Sequence, residues 1–157
     1  MRSEEQTNGY VSRPVPGTHG PGAVGRLLPP GMGSVLELVR GDTTALRIYI
    51  TGDTLFRPEL RQVCEQFPDL DAMIIHLGGT RALGILVTMD DQQGADMVER
   101  IAPPVTIPVH YDDYTVFRSP LSHFLDEVQR RQLATEIRTV GRGEMVTLPL
   151  RPRGSPP

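Results

Sequence analysis

Short apolar segments alternate with polar turn residues through the middle of the chain. Residues 34–39 and 46–50 are rich in β-branched and aliphatic side chains, and residues 40–43 between them, Arg-Gly-Asp-Thr, have turn composition. This pattern predicts a β-hairpin. Two further buried strands are predicted at residues 71–76 and 105–109, and two closing strands at residues 136–140 and 145–148, on either side of a Gly-Arg-Gly turn.

Three segments have the apolar spacing of amphipathic helices. Residues 58–66 begin with a proline, which the first helical turn tolerates, and continue with apolar side chains three or four positions apart. Residues 93–101 repeat an apolar side chain every third position and precede two prolines. Ser119 and Pro120 predict the N-cap and the first helical position of a third helix, which runs to about residue 131.

The order of these elements predicts an α/β fold, α+β in some classification schemes, with a mixed sheet and outer helices. Residues 1–13 are polar and predict a flexible N-terminus. Residues 151–157 are rich in Pro, Arg and Gly and predict a disordered tail. The folded domain is therefore expected to span residues 14–150.

Composition narrows the classes of partner. The chain has 157 residues, 38% of them hydrophobic, which suits one domain with a modest core. Its formal net charge is -3, with acidic and basic residues interspersed, a distribution that does not favour binding to nucleic acid. Cys64 is the single cysteine, and the sequence has no apolar run of signal-peptide or membrane-spanning length. We therefore expect a cytoplasmic protein with a small-molecule substrate and no membrane partner.

Residues that can bind a metal follow three of the predicted strands. Asp53 follows the strand at 46–50, His76 ends the next strand and His110 follows the strand at 105–109. Ligands gather at the carboxyl ends of strands in α/β sheets, so these side chains predict a shared site. His19 is a further candidate, because nearby glycines allow a close backbone approach. His123 lies within the predicted third helix and is expected to be structural or solvated.

The chain resembles the metallo-β-lactamase fold hydrolases in the order of three sequence features, within a match from about residue 14 to residue 128. The features are His19, the turn Thr51-Gly52-Asp53-Thr54 and the strand end Ile107-Pro108-Val109-His110-Tyr111. The likeness is closest to the branch that includes ascorbate-6-phosphate lactonase-like proteins and the N-acylphosphatidylethanolamine phospholipase D group. The resemblance implies that His19 binds one zinc ion, that His110 binds the other and that Asp53 bridges both. It also implies a hydrolase, with Asp53 and His110 as catalytic residues, in which activated water attacks an ester, lactone or phosphodiester.

One family signature is missing from the sequence. Members carry an earlier His-x-His-x-Asp-His motif, whereas residues 1–18 contain no histidine. The resemblance therefore predicts the C-terminal half of a four-layer αββα sandwich, a truncated domain with an apolar sheet face that self-association or a complementing chain would cover. His19, Asp53 and His110 suffice for one catalytic zinc but not for two. Because the missing aspartate leaves the attacking water without a base, we expect weak or absent hydrolysis by this chain alone.

The competing hypothesis is a catalytically inactive remnant that acts as a binding or subunit-type protein, with no metal bound. Measurement of bound zinc separates the two hypotheses. An ordinary doubly wound nucleotide-binding domain is disfavoured, because no strand is followed by a G-x-G-x-x-G or Walker-type loop.

Several residues near the predicted site have both a functional and a structural interpretation. His76 and Arg81 flank Leu-Gly-Gly-Thr, which is either an anion-binding loop beside the metal or a simple turn. Asp90 is a metal ligand or, more in keeping with its position before a helix, an N-cap. Tyr111, Asp112 and Asp113 adjoin His110 and are candidates to contact the substrate or the metal ligands. One of the two carboxylates orients the imidazole of His110, or both are exposed loop acids.

Overall fold

The computed structural model describes residues 8–17, 21–22, 31–82, 84–112 and 119–150. These residues form a six-stranded mixed sheet, a separate two-stranded sheet and three α-helices, which confirms the predicted α/β class. The strands are β1 Asn8–Pro16, β2 Met32–Arg40, β3 Thr43–Ile50, β4 Ala72–His76, β5 Arg81–Ala82, β6 Ile85–Leu86, β7 Val105–Val109 and β8 Glu136–Ile137. The helices are α1 Arg61–Gln66, α2 Asp91–Ile101 and α3 Leu121–Arg130, and a 3-10 turn, Pro58–Leu60, precedes α1.

Strand β1 corrects one prediction from the sequence. Residues 8–13 were expected to belong to a flexible N-terminus, but they lie in β1, which pairs antiparallel with β2 from Asn8 opposite Arg40 to Pro16 opposite Met32. β1 is an edge strand with few apolar side chains, and Tyr10 is 77% exposed. Backbone pairing with β2 and an ion pair from Arg13 to the buried Glu37 hold this polar segment in the sheet.

The predicted hairpin is present, with β2 and β3 antiparallel and Leu36 opposite Ile48. From β3 onward the sheet is parallel, in the spatial order β3, β4, β7, β8. Helices α1, α2 and α3 occur in the connections between these strands, as crossovers of this kind require. The carboxyl ends of β3, β4 and β7 therefore lie side by side along one edge of the sheet.

Alternate residues of the central strands enter two different apolar clusters. Met73 and Ile75 of β4 pack with Met97 of α2 and Phe124 of α3 in the larger cluster. Ala72, from the same strand, packs instead in a smaller cluster on the opposite face. On that face the side chains of β2 and β3 are partly exposed in the described part of the chain, namely Leu36, Leu38, Ile48 and Ile50.

The C-terminal segment differs from the prediction of two closing strands. Only Glu136–Ile137 forms a strand in this segment, β8, and residues 145–148 do not form one. Val146 and Leu148 nevertheless pack against the smaller cluster. These apolar side chains thus cover the sheet, although the backbone of the segment does not join its hydrogen-bond ladder.

The predicted N-cap of α2 is confirmed, although α2 begins at Asp91 and not at the predicted Gln93, and the predicted N-cap of α3 is wrong. Asp90 is the N-cap of α2, and its Oδ1 accepts a hydrogen bond from the backbone N–H of Gln93 at 3.1 Å, which confirms the capping interpretation. The N-cap of α3 is Pro120, not Ser119. The hydroxyl of Ser119 instead accepts the backbone N–H of Asp91 and donates to the Asp91 carboxylate, so it joins the two helix starts.

None of the helices in the described ranges is long and apolar enough to cross a membrane.

Candidate functional site

Three adjacent strand ends bring Asp53, His76 and His110 to one edge of the sheet. β3 leads into the Gly52-Asp53 turn, β4 ends at His76 and β7 ends one residue before His110. The predicted gathering of these residues depends on the parallel order of β3, β4 and β7, which the structure shows.

The turn that carries Asp53 requires glycine at position 52. Gly52 has φ +62°, and a Cβ atom on it would lie 2.4 Å from the carbonyl oxygen of Met32. Any larger residue would therefore displace the turn from β2. This close approach to the β2 backbone fixes the position of the turn and therefore the position of Asp53.

Asp53 and His110 are in direct contact. Nδ1 of His110 lies 3.5 Å from Oδ1 of Asp53 and 3.2 Å from the carbonyl oxygen of Leu77. His110 itself has φ +59°, a left-handed backbone conformation that is uncommon for a residue other than glycine and is concentrated at functional sites. The backbone is thus bent at the residue whose ring contacts both the carboxylate and the Leu77 carbonyl.

His76 lies beside this pair. Its ring centroid is 5.9 Å from that of His110, with an interplanar angle of 47°. Its backbone N–H donates to Oγ1 of Thr51 at 3.0 Å, and the same oxygen lies 3.4 Å from its Nδ1. His76 is therefore hydrogen-bonded at a strand end, as its structural interpretation expects, and its ring adjoins that of His110.

The glycine loop after His76 is held by protein contacts. The N–H of Gly79 donates to the carbonyl of Met89, and the N–H of Thr80 donates to the hydroxyl of Thr88. A Cβ on Gly79 would lie 2.9 Å from that of Ser119, so the loop is tightly packed. These contacts favour a structural turn over an anion cradle. Arg81 is half-exposed and lies 3.9 Å from Asp90, with Nη1 3.4 Å from the carbonyl of Gly84.

The residues that follow His110 have different surroundings. Tyr111 is partly buried against the larger apolar cluster. Oδ1 of Asp112 lies 4.0 Å from Nη2 of Arg142, whereas the His110 ring contacts the Leu77 carbonyl and Asp53. His19 and Asp113 lie outside the described residues. Within the described ranges, no three His, Cys, Asp or Glu side chains are close enough together to hold a metal ion.

Two groups that contact the site histidines were not predicted from the sequence, namely the Thr51 hydroxyl and the Leu77 carbonyl. Thr51 could have been noticed as a polar residue at the end of an apolar strand, directly before Gly-Asp. The Leu77 carbonyl gave no signal, because a backbone atom acquires such a role only through the position of a distant residue.

A cavity of about 250 Å³ lies between the end of β1 and helix α1. Its buried lining residues are Val15, Thr54, Leu55, Leu60 and Val63. Asp53, His76 and His110 do not line it. His123 is exposed on α3, in keeping with a solvated residue.

No model of a known protein family matches the chain. Among curated proteins, it is 30% identical over 101 residues to a UPF0173 metal-dependent hydrolase of Carboxydothermus hydrogenoformans, across 64% of this chain and 41% of that protein. It is 32% identical over 98 residues to a UPF0173 metal-dependent hydrolase of Aeropyrum pernix, across 62% of this chain and 38% of that protein. The chain thus spans about two-fifths of the length of these relatives.

Solved structures identify the fold. The chain superimposes on a possible metal-dependent hydrolase from Veillonella parvula with a TM-score of 0.74 and 21% identity, over 91% of this chain and 56% of that one. It superimposes on a metallo-β-lactamase fold protein from Bacillus subtilis with a TM-score of 0.58 and 9% identity, over 83% and 46% of the two chains. The described residues therefore have the metallo-β-lactamase fold, as the resemblance implies, and part of the sequence is similar to UPF0173 metal-dependent hydrolases.

Proposed function

We propose that this chain carries part of the site of a metal-dependent hydrolase that acts on an ester, lactone or phosphodiester. In this proposal Asp53 and His110 bind a zinc ion together with His19. The observation that supports it is the contact of an aspartate carboxylate with a histidine ring at the carboxyl-terminal edge of the sheet, in a chain related to metal-dependent hydrolases.

The hydrogen bond of His110 suits a metal ligand. A carbonyl oxygen only accepts, so the contact with Leu77 places the proton of a neutral ring on Nδ1. Nε2 then carries the lone pair that a metal requires. Metal-binding histidines commonly donate their other ring N–H to a carbonyl or carboxylate in this way. The donor set of imidazole and carboxylate fits zinc or a similar borderline ion better than calcium.

A divalent ion at this site would lower the pKa of water to about 7 and so make a nucleophile available near neutral pH. The carboxylate of Asp53 would offset the positive charge of the ion and hold its position relative to His110. We further propose that His76, Arg81, Tyr111 and Asp113 contact the substrate or orient the metal ligands. Arg81 offers a half-exposed guanidinium group for a phosphate or carboxylate of the substrate.

Metal analysis of the purified chain tests the proposal. We expect at least one equivalent of zinc by mass spectrometry of the protein, and its loss in His110→Ala. His123→Ala is the matched control, since it removes an exposed histidine from α3 and should leave the zinc content unchanged.

Hydrolysis is then measured on the zinc-loaded chain with nitrophenyl esters, a lactone and bis-nitrophenyl phosphate. Turnover that His110→Ala abolishes and His123→Ala preserves would support the proposal. A folded chain that binds no zinc at micromolar concentrations would reject it and favour the inactive binding or subunit-type protein.

A further inference from the structure

Thr51 has a hydroxyl group with three polar neighbours and a single proton. The side chain is fully buried at the end of β3. Its Oγ1 donates to the carbonyl oxygen of Gly52 at 3.0 Å and accepts the backbone N–H of His76 at 3.0 Å. The same oxygen lies 3.4 Å from Nδ1 of His76.

These distances favour one tautomer of His76. The Gly52 carbonyl can only accept, and it lies closer to the Thr51 hydroxyl than Nδ1 of His76 does, so we place the single hydroxyl proton on the bond to Gly52 and let the oxygen accept from the imidazole. Nδ1 of His76 must then carry the proton when the ring is neutral, and Nε2 is left as a hydrogen-bond acceptor. We propose that Thr51 is a positioning residue, which fixes His76 in the Nδ1–H form beside His110.

The consequence is a site composed of acceptors. The Leu77 carbonyl favours the same tautomer for His110, so Nε2 is unprotonated in both neutral rings, and Asp53 adds a carboxylate. Such a group of side chains attracts cations and ligands that bring O–H or N–H donors. If the proposed hydrolase function holds, on which this step rests, His76 accepts a hydrogen bond from the substrate or from the attacking water.

Nitrogen-15 NMR of the imidazole rings tests the tautomer without any need for turnover. Long-range proton–nitrogen spectra distinguish the two neutral forms, and the chain has only four histidines to assign. Spectra are recorded at a pH at which the rings are neutral, with His76→Gln and His110→Gln as assignment variants. We expect the Nδ1–H form for both residues in the wild-type chain.

Thr51→Val removes the hydroxyl group at nearly constant volume and should convert His76 to a mixture rich in the Nε2–H form, while His110 keeps its tautomer. Thr51→Ser restores the hydroxyl and should restore the wild-type spectrum. An Nε2–H form of His76 in the wild-type chain would overturn the inference even if the valine variant failed to fold. An unchanged His76 spectrum in a folded valine variant would overturn it as well.

Kinetics separates this inference from the proposed function. In a zinc-loaded chain that hydrolyses a test substrate, Thr51→Val should lower kcat at least about tenfold while the zinc content stays constant, and Thr51→Ser should stay within a few-fold of wild type. If the wild-type chain bound no zinc and had no turnover, the proposed hydrolase function would be rejected. The tautomer assignment would then be decided by the NMR spectra alone. A valine variant with wild-type kcat would show that the tautomer has no part in the chemistry.

Discussion

Nδ1 of His110 lies 3.5 Å from Oδ1 of Asp53, although strand β4 separates the two strands that deliver these residues. The contact spans the edge of the sheet because the Gly52-Asp53 turn and the left-handed backbone of His110 bring their side chains together over the end of β4. This proximity of a carboxylate to an imidazole ring supports the proposed metal site.

Asp53→Asn should weaken zinc binding at least about tenfold, since it removes the negative charge that faces the ion and the ring. Isothermal titration of the metal-free chain with zinc measures the change. Asp112→Asn is the control, because this neighbouring carboxylate has a 67% exposed side chain and faces Arg142. Equal zinc affinities of the two variants would show that Asp53 is not a metal ligand.

Phe124→Ala should destabilise the fold by about 3–5 kcal/mol, because the ring is fully buried between the sheet and the helices and its loss leaves a cavity. Urea unfolding monitored by circular dichroism gives the free energy. The adjacent exposed residue serves as the control, since His123→Ala should change stability by less than about 0.5 kcal/mol. A loss below about 1 kcal/mol for Phe124→Ala would mean that α3 is not packed as described.

Gly94→Ala should destabilise the protein by about 1–3 kcal/mol, even though alanine favours helices over glycine by about 1 kcal/mol. An added Cβ would lie 2.7 Å from Cδ2 of Leu77 and 3.1 Å from Cδ2 of Phe124. Because the Leu77 carbonyl contacts His110, the imidazole nitrogen-15 shifts of His110 should change as well.

Gly9→Ala is the matched control for Gly94→Ala, because a Cβ at that position would meet nothing within 4 Å. We expect it to change the unfolding free energy by less than about 1 kcal/mol, without destabilisation, and to leave the His110 spectrum unchanged. If Gly94→Ala were stabilising, helix α2 would have to lie farther from the sheet.

Glu37→Gln should reduce the loss of stability at acid pH. Burial raises the pKa of Glu37, but hydrogen bonds and charge interactions with Arg13 and Arg47 outweigh it, so the pKa lies below its usual value of 4.5. A carboxyl with a lowered pKa stabilises the fold fully above its unfolded-state pKa, and this contribution disappears as pH falls through the folded-state value. Unfolding free energies between pH 3 and pH 7 should therefore fall less steeply in Glu37→Gln than in wild type.

At pH 7 the same substitution should cost about 1.5–3 kcal/mol, the range for hydrogen bonds to a charged group. Glu59→Gln, at an exposed position, is the control and should keep the wild-type pH profile. A pH profile identical in Glu37→Gln and wild type would show that this ion pair does not contribute to acid unfolding.

The elements with strong local patterns were predictable from the sequence. Residues 34–39 and 46–50 alternate with turn residues, and the helix at 93–101 repeats apolar side chains, so the hairpin and α2 appeared where expected. The convergence of Asp53, His76 and His110 also followed, because the ends of neighbouring parallel strands share one edge of a sheet. The ligand role predicted for His19 stays a prediction, since that residue lies outside the described ranges.

Other features depended on partners far away in the sequence. The polar residues 8–13 became a strand because β2 offers them a backbone ladder, and residues 145–148 did not join the sheet although their side chains pack on it. Ser119 faces Asp91 instead of capping its own helix. No local pattern encodes these pairings.

The sequence by itself determined the secondary structure of the core and placed the chemical groups directly after strands, because side-chain periodicity and position relative to a strand end are local properties. Only the tertiary structure decided which atoms meet there: the Leu77 carbonyl and Asp53 with His110, and the Thr51 hydroxyl with His76. These contacts form between residues that only folding brings together. Their hydrogen-bond geometry determines which nitrogen of each imidazole ring carries the proton.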